Sequence, residues 1–179
     1  MTWNSRFWWI RCYIVPNFPK ISFFTKDLDT FHQTKSLKRV VSSGKFEIRI
    51  NSSFSEVIDG CAEREETWID ETVRESYITL SSGGYAHSVE TWFKGELVGG
   101  LYGVSIGGAF FGESMFSREP NASKVALVAL VEHLRKRKFI LLDTQWTTPH
   151  LRQFGAVDIP KNEYMKQLNE AIKLNVSFI

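Results

Sequence analysis

Residues 125–134 restrict the fold more than any other segment, because they form a helix-length run that is apolar nearly all round. A helix with no polar face cannot rest on a surface and must be buried against a sheet. The preceding stretch supplies that sheet. Residues 86–93 and 96–104 read as two strands joined at Lys94-Gly95, a tight hairpin with glycine available for positive φ, and 109–111 read as a third after Gly107-Gly108. Asn121 or Ser123 is placed to cap the apolar helix, and the four basic residues 135–138 suit its negative end. Residues 139–142 are a short continuous apolar run, expected to be a central strand buried on both faces. Antiparallel strands, a buried helix and a further central strand predict an α+β fold with a mixed, mostly antiparallel sheet flanked by helices.

The remaining elements are smaller. Residues 46–50 alternate apolar and charged, a half-buried strand, after which Ser52 or Ser53 can cap a helix through Phe54, Val57, Ile58 and Cys61. Asp70 opens an amphipathic helix marked by Val73, Tyr77 and Leu80 and stopped by Gly83-Gly84. Residues 149–154 predict a brief helix ended by Gly155, and Pro160 starts a last helix using Tyr164, Leu168 and Ile172. A chain of 179 residues, 43% hydrophobic, can bury one core but not two ordinary ones. Residues 1–35, rich in Trp and Pro without a sustained period, read as an irregular arm, and 36–179 as the functional domain.

Charge and cysteine content narrow the class. With 22 basic and 20 acidic residues there is no overall polycation, so any RNA contact must come from a local patch. Cys12 and Cys61 lack the spacing of a zinc site or a disulfide framework, which favours a reducing compartment. No run reaches the roughly 18 apolar residues of a membrane span, and the start lacks a secretory leader. The expectation is a cytoplasmic monomer with no membrane association.

Three segments end apolar runs and carry polar groups to one edge of the sheet: residues 112–117, 121–124 and 142–145. In the last, Asp143 and Gln145 stand two apart and so share a face if the strand continues, which lets the Gln145 side chain bond the carboxylate. The same aspartate also reads as a cap on the Thr147–Pro149 turn. Glu113 follows a glycine that lets backbone approach a ligand closely, and it reads either as a ligand-facing carboxylate or as one satisfied at the helix start near Asn121. His87, at a strand start, reads as structural.

His87-Ser88-Val89-Glu90 with Trp92, residues 96–100 with Tyr102-Gly103-Val104, residues 112–117 and 121–124, and Asp143 with Gln145 together resemble the leucyl/phenylalanyl-tRNA-protein transferases, in matching order from about Phe46 to Tyr164. The resemblance implies an acyl-CoA N-acyltransferase-like fold that uses charged tRNA as donor. It also implies transfer of Leu or Phe, and by pocket chemistry Met, to the N-terminal Arg or Lys of acceptor proteins, marking them for degradation. Neither cofactor nor metal is called for.

Carried over by position, the resemblance implies Asp143, Gln145 and Glu113 for catalysis, with Asp143 handling the amine's proton and Gln145 fixing it. It implies Leu101, Phe110, Leu127, Leu130 and Leu142 for an apolar side-chain pocket, with Ser114 beside the substrate end and Trp68 near the acceptor's N-terminus. A polyanionic donor points to Lys38, Arg39, Lys124, Arg135 and Arg137 as tRNA contacts. By the same resemblance the family's N-terminal domain is expected to be largely missing, and Trp8-Trp9 is followed by Ile10-Arg11-Cys12 where the family has a serine-proline turn. Two other classes share the same residues, an acyl-CoA-dependent N-acyltransferase and a non-catalytic tRNA- or peptide-binding module. No Arg/Gln-x-x-Gly-x-Gly/Ala segment precedes a helix to cradle a pyrophosphate.

Overall fold

A computed structural model describes residues 20–24, 28, 31–145 and 149–179. Its elements run β1 (Lys20–Phe24), α1 (Lys35–Ser42), β2 (Glu47–Ile50), α2 (Phe54–Ala62), α3 (Glu71–Ser82), β3 (Ala86–Phe93), β4 (Glu96–Ile106), β5 (Ala109–Ser117), α4 (Ala122–Lys136), β6 (Leu141–Gln145), α5 (Pro149–Arg152), β7 (Val157–Pro160) and α6 (Lys161–Ala171). The strands make one sheet in the order β2-β3-β4-β5-β6-β1-β7. Five of its six pairings are antiparallel; β5 and β6 are parallel. A parallel pair needs a long crossover, and α4 is that crossover. The mixed, mostly antiparallel α+β sheet flanked by helices that the sequence predicts is therefore present.

The helix apolar all round lies where its composition demands. α4 buries Ala122, Val125, Ala126, Leu127, Val128, Leu130, Val131 and Leu134 against β3, β4 and β5, with α1 beside it. Each fully buried Val or Leu is worth roughly 1.5–3 kcal/mol. On the other face α2 and α3 cover β3 and β4, while α6 covers the β6-β1-β7 end. That second face carries two separate apolar clusters, one around Ile58, Tyr102 and Phe116 and one around Phe111, Leu141 and Tyr164.

Several expectations change. Lys20–Phe24, inside the arm read as irregular, is a strand paired on both sides, with β6 and β7; the rest of the Trp- and Pro-rich start lies outside the described residues. The third strand runs on to Ser117 rather than stopping at Phe111, and the central strand is Leu141–Gln145 rather than 139–142. Asp70 caps α3 through the Val73 N–H as expected. Asn121 and Ser53 occupy cap positions yet make no side-chain cap bond. Ahead of α2 the buried Glu90 carboxylate accepts the N–H groups of Ser52 and Ser53, and in the first turn of α4 the Ser117 hydroxyl accepts the Ser123 N–H. The hairpin turn has both Lys94 and Gly95 at positive φ, 53° and 84°, as a two-residue type I′ turn requires.

Candidate active site

The site is built on a β-bulge. Leu101 faces Met115 and Tyr102 faces Ser114, but Gly103 faces Gly112, so Glu113 has no partner on β4 and is the extra residue of β5. A bulge bends its strand and re-aims a side chain. Gly103 makes this bulge possible: a Cβ there would stand 2.2 Å from the Phe111 carbonyl oxygen. The parallel pairing of β5 and β6 covers Ala109–Phe111 against Leu141–Asp143 and stops there, so Glu113 sits where the two strands part.

β6 supplies the facing groups. Asp143 is fully buried; its Oδ1 accepts the Gln145 main-chain N–H at 2.7 Å, and its Oδ2 accepts the hydroxyl of Tyr164 on α6. Gln145 has φ 67°, so the strand turns at that residue and the alternation of faces fails. The expected bond from the Gln145 side chain to Asp143 is thus corrected to a main-chain bond. The side chain goes instead to Glu113, its Nε2 donating to Oε2 at 2.8 Å. A relay results: Tyr164 and the Gln145 backbone hold Asp143, the turn fixes Gln145, and Gln145 orients Glu113. The alternative reading of Asp143, a cap on the Thr147–Pro149 turn, involves residues outside those described.

Around Glu113 other groups converge. Arg64, from the α2–α3 loop, donates to the Ser114 hydroxyl at 3.3 Å and to the Met115 carbonyl. Cys61 lies beneath, its thiol pushed up to about 12 chiefly by burial, which leaves it protonated and inert. Trp68 is 52% exposed and meets Tyr77 edge-on at 6.4 Å; Tyr77 in turn meets Tyr102 at 5.1 Å. This aromatic row leads from the surface to the bulge.

Leu101, Phe110, Leu127, Leu130 and Leu142 come together in one buried cluster, on the α4 side of the sheet. Asp143 and Tyr164 face the opposite, α6 side. Lys38 and Arg39 are exposed on α1 and Lys124 is half-buried in the first turn of α4. Arg135 donates to the Leu28 carbonyl at 2.7 Å and Arg137 to that of Phe178 at 3.1 Å.

His87 is structural. Asn51 Oδ1 accepts the Ser88 N–H, which turns its amide nitrogen to His87 Nδ1 at 3.0 Å; Nε2 then donates to Ser105, and the ring stacks on Phe178. Burial, with His133 nearby, lowers its pKa to about 4. Because the folded value lies below the ordinary one, its stabilising contribution is complete above about pH 6.5 and is lost as pH falls toward 4, since the unfolded chain takes the proton first. The expected result is an imidazole proton resonance titrating near pH 4; a midpoint above 6 would contradict this environment.

Tyr164, Arg64 and Tyr102 escaped the sequence reading as site residues. Tyr164 stood out only as an apolar position on a helix. Its signal was a hydroxyl on the buried face.

Three comparisons bear on what this arrangement serves. The family model described as leucyl/phenylalanyl-tRNA protein transferase matches residues 26–169. The leucyl/phenylalanyl-tRNA--protein transferase of Rubrobacter xylanophilus is 54% identical over 153 residues, covering 85% of this chain and 80% of that protein. A conserved protein of unknown function from Bacteroides thetaiotaomicron superposes with a TM-score of 0.50 at 10% identity, covering 74% of this chain and 53% of that one. At that identity the likeness speaks to fold alone.

Proposed function

The chain belongs to the leucyl/phenylalanyl-tRNA protein transferase family, and from that premise we propose that it moves leucine or phenylalanine, with methionine tolerated, from a charged tRNA to the N-terminal Arg or Lys of acceptor proteins. The observation that carries the mechanism is the Glu113–Gln145 pair at the bulge, braced by buried Asp143. The attacking amine must lose a proton as it joins the ester carbonyl, and a carboxylate held by a neutral amide can accept it. Glu113 takes that role, Gln145 orients it, and Asp143 is a positioning residue. Product release would mark the acceptor for degradation in a cytoplasmic setting.

The donor's side chain needs an apolar slot. Leu101, Phe110, Leu127, Leu130 and Leu142 suit one, reached where β5 and β6 part. A hydrophobic pocket separates related side chains by only about 1–3 kcal/mol per methylene, so Leu, Phe and Met are all acceptable occupants. Trp68 suits the acceptor's cationic first residue by a cation–π contact, with Glu65 and Glu66 on the same loop adding charge. Ser114, on the strand beside Glu113, suits the ester end.

Exposed Lys38 and Arg39 on α1 suit the tRNA backbone, as does Lys124, whereas Arg135 and Arg137 already hold main-chain carbonyls. The Lys38→Ala/Arg39→Ala variant should bind tRNA more weakly, with a log K against log salt slope shallower by about two. Arg135→Ala should instead lower Tm and leave the slope unchanged. Binding titrations across salt concentration check both; an unchanged slope in the double variant would remove α1 from the interface.

The test of the function itself is transfer. Radiolabelled Phe-tRNA or Leu-tRNA incubated with the protein and an Arg-starting peptide should yield labelled peptide. Transfer from acetyl-CoA alone would favour the acyl-CoA reading. Binding of charged tRNA with no product at saturation would favour a non-catalytic module.

A further inference from the structure

Tyr102 is fully buried in β4, with Phe54 and Tyr77 edge-on to its ring at 5.8 and 5.1 Å, and its hydroxyl has no hydrogen-bond partner. Among the described residues only one other buried side-chain polar atom, Trp92 Nε1, is in that position. An interior hydroxyl left unbonded is a net cost to stability, and phenylalanine would make the same ring contacts without it. The hydroxyl is therefore kept at a place where the fold gains nothing from it. Its residue adjoins the bulge, because the register shifts between Tyr102 and Gly103.

Tyr102 is the cross-strand partner of Ser114, and cross-strand partners share a face of the sheet. The next residue of β5 toward its start is Glu113. Arg64, exposed, donates to the Ser114 hydroxyl and to the Met115 carbonyl, beside the cross-strand partner of Tyr102. The phenol is pushed above its ordinary range, first by burial and then by Tyr77, Cys61 and Glu113, so it stays a neutral donor.

We propose that the Tyr102 hydroxyl donates to the carbonyl oxygen of the aminoacyl ester as that oxygen becomes an oxyanion. The proposal rests on the aminoacyl-transfer reading above. In that step the amine nitrogen forms a bond to the carbonyl carbon and the C=O electron pair moves onto oxygen. Collapse restores C=O and breaks the bond to the terminal ribose oxygen of the tRNA. Glu113 carries the amine's proton to that leaving oxygen. A carboxylate serves the proton and cannot also donate to a growing negative charge. A neutral phenol beside it can, and a donor aimed at the developing charge lowers the barrier more than it strengthens ground-state binding.

The test is Tyr102→Phe, which keeps the ring and removes one oxygen, assayed with saturating Phe-tRNA and an Arg-starting peptide alongside thermal melting. The expected result is a kcat lower by about 100-fold, KM for both substrates changed less than about twofold, and Tm unchanged or raised. An unchanged kcat overturns the proposal, as does a KM increase at constant kcat, which would mean uniform binding. A Tm loss of several degrees also overturns it, because the hydroxyl would then be holding the fold. An unaltered chain that transfers nothing overturns the aminoacyl-transfer reading and this step with it. An active unaltered chain with an equally active variant overturns the hydroxyl's role alone.

Discussion

Glu113→Gln should slow transfer by a factor on the order of 10³ while leaving Tm and tRNA affinity near those of the unaltered protein. The substitution keeps the side chain's length and an oxygen able to accept from Gln145 Nε2, so the contact now made at 2.8 Å survives in shape. Only the charge and its proton affinity go. The effect therefore reads the carboxylate's role in the reaction rather than its part in the bulge. Rates measured at saturating donor and acceptor, from pH 6 to 9, supply the check. A variant retaining more than about a tenth of the rate would mean that orientation of the two reactants supplies the acceleration by itself.

What the residues announced in advance was local. The Lys94-Gly95 hairpin and the α4 and α6 helices each depend on neighbours within a turn or two, so period, glycine and proline mark them. Gln145 shows where that legibility ends. A strand read by alternation puts its side chain beside Asp143, whereas a φ of 67° at Gln145 turns it toward Glu113, 32 positions away. Glu113 as an extra residue is a property of the count on two strands together, and β5 alone could not disclose it; the hint was a glycine on each strand, Gly103 facing Gly112. The basic run at the end of α4 hides its main-chain contacts in the same way. The carbonyl that Arg135 holds belongs to Leu28, 107 positions earlier, and no pattern near the arginine could point to it.

The resemblance implies that Asp143 handles the amine's proton, and the geometry turns that role into a measurable difference between two substitutions. Asp143→Ala removes the acceptor for two donors, the Tyr164 hydroxyl and the Gln145 N–H, in a fully buried place. Stranding them should cost on the order of 3 kcal/mol and free the Gln145 turn, so that transfer falls by about 10² or more, as misplacement of a catalytic group does. Asp143→Asn is different. Its carbonyl oxygen can still accept from Gln145, and its amide can donate to a Tyr164 hydroxyl that rotates to accept. A positioning residue therefore tolerates asparagine, with transfer retained within about tenfold and Tm within a few degrees, because the turn that aims Gln145 at Glu113 is kept. A residue that itself takes the amine's proton tolerates neither change, and both variants would fall together by roughly 10² to 10⁴. Comparing kcat and Tm for the pair, with Tyr164→Phe as a third variant that breaks only one of the two bonds, separates the roles: equal losses in Asp143→Ala and Asp143→Asn, with Asp143→Asn still folded as stably as the parent, would make Asp143 the base and leave Glu113 as its neighbour.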